Sequence, residues 1–287
     1  MSEKRNGFIR FDNIDEFETY IKNLKIRRKI NGLQVHHMAL PNYACFYKGK
    51  GVTEDELVRT INLDYYGKSK GWSCIAQHFN IFPNGKITTG RDINKTPVGI
   101  TGWNANKICI EIYGDFDKNK DVMKVEQREA VIAVYAILCE KLNLTPSTST
   151  IRAHAWFTSG GTYLGDYYKN KSAKTCPGTN FMNFGNSRLA FINNFYPLIE
   201  KYLANHNTNK DTTKNIKLVK NISKEKLNIR SSPNWNGKII ATLNPGDSLT
   251  YISGPLSAKG STTKMYKCKN NSYITASSKY TKIITKK

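Results

Sequence analysis

Leu33-Gln34-Val35-His36-His37-Met38 is the stretch on which the fold turns. It is a short apolar run with polar residues set into it, and it reads as a buried strand. Working outward, Lys107 to Tyr113 is a second run of this kind. Pro83-Asn84-Gly85 sits between Ser73–Phe82 and Lys86–Thr89 and signals a hairpin. Helical spacings lie between these strands. Asn13-Ile14-Asp15-Glu16 is a capping box ahead of Phe17, Tyr20, Ile21 and Leu24. Thr53-Glu54-Asp55-Glu56 reads as a second one, opening a helix through Leu57 and Ile61. Val125 to Leu142 is a long helix, and Arg188 to Leu203 is the last, with Pro197 expected to kink or split it. Strands alternating with helices predict an α/β domain, a central mixed sheet flanked by helices.

Residues 204–215 are polar and lack apolar periodicity, which predicts a linker. The chain then divides into a large domain over 1–203 and a small one over 216–287. In the small one, short strands at Leu227–Pro233, Gly237–Leu243, Ser248–Ile252, Tyr266–Cys268 and Tyr273–Thr275 are broken by turn residues, which predicts a small all-β barrel.

The net charge is +22, and the last 72 residues carry +12 of it, with fourteen Lys and Arg against Glu225 and Asp247. Such a surplus attracts polyanions: nucleic acid, a membrane surface or an anionic wall polymer. There is no zinc-finger spacing, RNA-recognition signature or helix-turn-helix pattern, so nucleic acid is not the expected partner. No apolar run approaches the roughly 20 residues that span a bilayer, so no membrane insertion is expected. Met1 to Asp12 carries Glu3, Lys4, Arg5, Arg10 and Asp12 with no apolar core behind them, unlike a secretory signal. The expectation is a protein made in the cytoplasm that reaches an outside target only after release. The six cysteines show no CxxC pair or dense spacing, so a disulfide framework is not expected.

Three residues have the types that zinc prefers: His36 at the end of its strand, His154 after Thr150-Ile151-Arg152-Ala153, and Cys176 in Lys174-Thr175-Cys176-Pro177-Gly178. Catalytic zinc takes three protein ligands and leaves one position open for water. Taken singly, each is more readily an ordinary core or surface residue, the cysteine most of all.

Val35-His36-His37, the hairpin with Phe82-Pro83-Asn84-Gly85 and Gly90-Arg91-Asp92, Ile108-Cys109-Ile110-Glu111-Ile112, Arg152-Ala153-His154 and Lys174-Thr175-Cys176-Pro177 follow one another in a recognisable order. Over residues 30–180 the chain resembles the type 2 N-acetylmuramoyl-L-alanine amidases, a family that includes phage endolysins and is related to the peptidoglycan recognition proteins. The resemblance implies a Zn2+ site at His36, His154 and Cys176. It implies Glu111 as catalytic acid and base, and Lys174 as a stabiliser of transition-state charge. His37 and His78 have no ligand role in it. The implied substrate is bacterial peptidoglycan. The alternative is a peptidoglycan-binding protein without activity, a group that usually lacks the Cys ligand.

The chain departs from the family pattern in places. Gln77-His78 stands where some members carry a catalytic Tyr before the His. Gly99-Ile100 replaces a His-Ala pair. The gap from His154 to Cys176 is long, and its Ser159–Tyr168 stretch is expected to be an ordered loop walling a cleft, with Trp72, Trp103, Trp156 and Tyr163 as candidate contacts. The C-terminal segment resembles bacterial SH3-like wall-binding domains in Leu227-Asn228-Ile229-Arg230-Ser231-Ser232-Pro233, Gly246-Asp247 and Ser278-Lys279-Tyr280, with Met265-Tyr266 in place of the usual Trp-Tyr. That resemblance implies tethering to the wall, with anionic wall polymers as further partners.

Overall fold

The computed structural model describes residues 2–49, 51–214 and 216–286. The chain forms two compact units, residues 1–204 and 205–287. In chain order the elements of the first are β1 (Glu3–Arg5), β2 (Phe8–Phe11), α1 (Ile14–Asn23), β3 (Gly32–His37), α2 (Tyr43–Phe46), α3 (Glu56–Ser69), β4 (Phe79–Ile81), β5 (Ile87–Thr89), β6 (Lys107–Ile112), α4 (Val125–Leu142), β7 (Ile151–Ala153) and α5 (Arg188–Ala190). A further helix, α6, runs from Tyr196 to Lys214.

Seven strands make one mixed sheet in the order β1-β2-β5-β4-β6-β3-β7. β4, β6, β3 and β7 are parallel neighbours, and β1, β2, β5 and β4 are antiparallel. Strand alternation sorts the side chains between the two faces. Leu33 and Val35 of β3 and Ile108, Ile110 and Ile112 of β6 join Phe17 and Ile21 of α1 and the apolar residues of α4 in the main core. The register pairs Gln34 with Cys109 and His36 with Glu111, so these four share the opposite face. That face is buried yet polar: Gln34, His36, Asn80 and Thr88 are all almost without solvent contact. Burying polar groups is costly unless they bond one another. Here Asn80 donates to Thr88 at 3.0 Å and Thr60 of α3 meets the same hydroxyl at 2.8 Å.

Local differences from the expected elements have local causes. The N-cap of α3 is Asp55, which accepts from Leu57 and Val58 N–H at 2.8 and 2.9 Å, whereas Thr53 bridges to Tyr47. β4 is three residues long rather than spanning Ser73–Phe82. The last helix is split. α5 is followed by a π-helical turn over Phe191–Phe195 and then α6. Pro197 has no N–H to give to the preceding turn, and the wider turn just ahead of it absorbs the missing bond. The stretch read as a linker, 204–215, carries α6 as far as Lys214. The β1–β2 hairpin turns on Asn6-Gly7, both at positive φ (50° and 85°), as a type I′ turn requires.

The second unit holds a seven-stranded, wholly antiparallel sheet. Its strands are β8 (Ile216–Asn221), β9 (Leu227–Arg230), β10 (Ile239–Leu243), β11 (Ser248–Leu256), β12 (Met265–Cys268), β13 (Ser272–Thr275) and β14 (Thr281–Lys286). Val219, Leu227, Ile229, Leu243, Cys268 and Ile274 form its core. β8 and β14 were not foreseen. They pair with each other along their whole length, Ile216 opposite Lys286.

Candidate active site

Three parallel strands deliver the key residues to one end of the sheet. His36 is the penultimate residue of β3, Glu111 lies beside it on β6, and His154 opens a 3-10 turn directly after β7. Open sheets of this kind present their sites at the carboxyl ends of the strands. Cys176 comes from a loop pinned to the same place. Ala155 N–H donates to Cys176 O at 2.7 Å, and His37 N–H points at Cys176 Sγ at 3.3 Å. Asp117 clasps the loop from the other side, accepting from Thr175 Oγ1 and Thr179 N–H, each at 2.8 Å. Burial alone would raise the pKa of Asp117. The bonds from Thr179 and Thr175 and the nearby His37 outweigh it and hold the carboxyl below its ordinary range.

The metal-binding atoms of His36, His154 and Cys176 all lie within 4.8 Å of one another. His36 Nδ1 is 3.7 Å from Cys176 Sγ, and the two imidazole centroids are 4.9 Å apart. A tetrahedral zinc with bonds of about 2.0–2.1 Å to nitrogen and about 2.3 Å to sulfur needs an N···S separation of roughly 3.6 Å. The donor set and its spacing therefore fit such an ion. Burial, reinforced by Lys174 and His37, lowers His154 to about 4, and burial together with His154 and Lys174 holds His36 well below its ordinary value. Both rings are neutral at physiological pH, the form that ligates metal. Burial and Glu111 push the Cys176 thiol up.

Glu111 Oε1 stands 3.8 Å from His36 Nδ1, and its other oxygen is buried without a hydrogen-bond partner among the described residues. Burial pushes its pKa up to about 8, against the pull of Lys174. A carboxylate poised near neutrality beside a ligand cluster suits proton transfer. Lys174 and Glu111 line the same cavity of about 250 Å³ as His36, His154 and Cys176, together with Met38, Leu40, Leu63, Tyr66, Trp72 and Val98.

His37 and His78 are not among the three converging donors, although His37 borders the same cavity. The His37 ring accepts from Phe116 N–H at 3.1 Å, on the side of the sheet away from His36. His78 accepts from Cys109 N–H at 3.0 Å and donates to Lys95 O at 2.9 Å. Of the four aromatics proposed as wall contacts, Trp72 alone lines the cavity. Trp156 is fully buried and donates to Asn186 O at 2.7 Å. Trp103 and Tyr163 sandwich Arg152, at 4.9 and 3.9 Å from its guanidinium. No residue of the long loop over 157–173 is among those lining this cavity. The loop packs on residues 101–102, with Gly161 and Gly102 meeting backbone to backbone.

A model of the family described as N-acetylmuramoyl-L-alanine amidase matches residues 26–179. The chain belongs to that amidase family. The match contains His36, Glu111, His154, Lys174 and Cys176. No curated protein matches the chain in sequence. Among solved structures, this amidase is similar to the endolysin N-acetylmuramoyl-L-alanine amidase LysCS from Clostridium intestinale (22% identity, 55% of this chain and 85% of that one, TM-score 0.37). It is similar also to Drosophila PGRP-LB (18%, 54% and 78%, TM-score 0.41) and bumblebee PGRP-SA (16%, 62% and 93%, TM-score 0.41). These likenesses are weak, and the family assignment rests on the sequence match.

Sequence reasoning missed Gln34 and Asp117 as parts of the site. Gln34 carried a signal: it lies two residues before His36 and so on the same strand face. Asp117 carried none, because its partners lie about sixty positions away.

Proposed function

We propose that the chain is a zinc-dependent hydrolase of endolysin type, cutting the amide between N-acetylmuramic acid and L-alanine in bacterial peptidoglycan. The convergence of His36, His154 and Cys176 beside a buried Glu111 carries this reading. A bound zinc would polarise the amide carbonyl and lower the pKa of a water to about 7. Glu111 takes a proton from the attacking water and returns it to the leaving nitrogen of L-alanine, one carboxylate serving both steps. The products are the lactyl carboxylate of muramic acid and a free alanine amine. The Lys174 ammonium faces the oxygen on which negative charge develops. A protein that only bound peptidoglycan would need the cleft but not the thiol. The presence of Cys176 against His36 favours hydrolysis.

We propose further that residues 216–287 are an SH3-like wall-binding domain that tethers the enzyme to its polymer. In support, this segment is all-β and carries much of the positive charge. It has its own cavity of about 250 Å³, lined by Arg230, Trp235, Met265 and Tyr280 among others. Tethering raises the local concentration of the catalytic unit near its substrate.

The test is product analysis on purified Gram-positive peptidoglycan, with wild type, Glu111→Ala and chelator-treated protein side by side. New N-terminal alanine without new reducing sugar, lost in the other two samples, is the expected result. New reducing sugar, or no product from zinc-loaded wild type, would overturn the reading.

A further inference from the structure

A metal-ligating histidine presents one ring nitrogen to the metal, and what its other nitrogen bonds decides which one is free. In this chain that partner is a glutamine amide. Gln34 has no solvent exposure. Its amide nitrogen donates to Trp103 O at 2.7 Å and to Asn104 Oδ1 at 3.1 Å. Its oxygen Oε1 consequently faces His36 Nε2, 3.1 Å away. Turning the amide over would set its oxygen against two other oxygens. Asn104 cannot turn either, because Oδ1 also accepts from the N–H groups of Gly99 and Ile100 at 2.9 and 3.0 Å. The backbone at 99–100 thus fixes Asn104, Asn104 fixes Gln34, and Gln34 accepts the proton on His36 Nε2. Nδ1 is left as a lone pair facing Cys176 Sγ and Glu111 Oε1.

Gly99 makes this possible. A Cβ there would stand 2.0 Å from Gln34 Oε1 and 3.0 Å from Cys109 Sγ. The Gly99-Ile100 pair, a departure from the family pattern, is the space that the amide oxygen occupies.

We propose that Gln34, seated by Asn104 and by the missing side chain of Gly99, is a positioning residue that holds His36 in its Nε2–H tautomer and so reserves Nδ1 for the metal. The inference rests on the metal-centre reading above, but its tautomer component can be tested without metal.

The full chain, labelled with 15N at its five histidines, is prepared metal-free as wild type, Gln34→Leu and Gly99→Ala. Long-range 1H–15N spectra report which ring nitrogen of His36 carries the proton, and competition with a chromophoric chelator reports zinc affinity. In the wild type the His36 proton is expected on Nε2. In each variant that folds, the tautomers should mix, and zinc affinity should fall about 10- to 100-fold, as is usual when a metal ligand loses its hydrogen-bond partner. Gly99→Ala leaves Gln34 in the chain and only displaces its oxygen, so agreement between the two variants separates positioning from loss of packing. A wild-type His36 protonated on Nδ1 overturns the proposal whatever the variants do. So does a folded variant with unchanged tautomer and unchanged affinity. A wild type with the Nε2–H tautomer that binds no zinc would instead sink the metal-centre reading and leave the tautomer lock standing.

Discussion

At the scale of single residues, His36 and His37 show how much one position matters. They are adjacent and chemically identical, yet pleating sends one ring to the ligand cluster and the other to Phe116. Glu111→Gln keeps the shape of the side chain and removes its proton traffic. It should cut amide hydrolysis by about 10²- to 10⁴-fold while zinc content stays at the wild-type level. Metal analysis beside the rate measurement checks this, and a rate within a few-fold of wild type would remove Glu111 from the reaction. His78 makes a prediction about acid stability. Burial lowers its pKa from 6.5 to about 3. The unfolded chain binds a proton at 6.5 that the folded one refuses until about 3. The neutral ring's contribution is therefore complete above 6.5 and is lost progressively as pH falls toward 3, a change on the order of a few kcal/mol. Denaturant titrations of wild type and His78→Asn at pH 7, 5.5 and 4 should show the gap in stability narrowing as pH falls. A constant gap would mean that the ring titrates alike in both states.

At the scale of elements, legibility followed apolar pattern rather than length: the six-residue strands β3 and β6 could be read, whereas the polar second half of α6 could not. The helix over Val125–Leu142 has the expected bounds, because eighteen residues of consistent pattern outvote any local exception. β8 and β14 lie in Lys-rich segments whose apolar residues are too few to stand out until the two strands pair. The β1–β2 hairpin was legible in principle from Asn6-Gly7 but hidden by the charges around it. The ligand trio could be assembled only through the family resemblance, since nothing in one sequence says that positions 36, 154 and 176 meet. The Asp117 clasp was invisible for the same reason, and it carries a prediction of its own. Asp117→Ala removes the acceptor for Thr175 and Thr179, and bonds to a charged group contribute about 1.5–3 kcal/mol each. The melting temperature should fall by several degrees, and the 174–179 turn should lose hydrogen-exchange protection before the sheet does. Protection equal to wild type in that turn would show that the His37 and Ala155 contacts suffice to hold it.

At the scale of the whole molecule, charge and catalysis are unevenly shared along the chain, the smaller part of the sequence carrying more than half of the surplus. If residues 216–287 grip an anionic polymer, co-sedimentation of the full chain with Gram-positive walls should weaken steadily as salt rises from 0.1 M toward 1 M, over which the screening length shrinks from about 10 to about 3 Å. Walls stripped of teichoic acid should retain less protein at low salt. Salt-insensitive retention that Trp235→Ala abolishes would point to the cavity in that unit rather than to its charge. No helix among the described residues is long and apolar enough to cross a membrane.

The position of β3 in the sheet has a consequence in time. It is the third strand made, yet its neighbours β6 and β7 emerge well over sixty residues later, and the Cys176 thiol comes 140 positions after His36. A nascent or prematurely ended chain that stops short of that cysteine lacks one of the three converging donors. The three donors can therefore come together only once the amidase region is nearly complete.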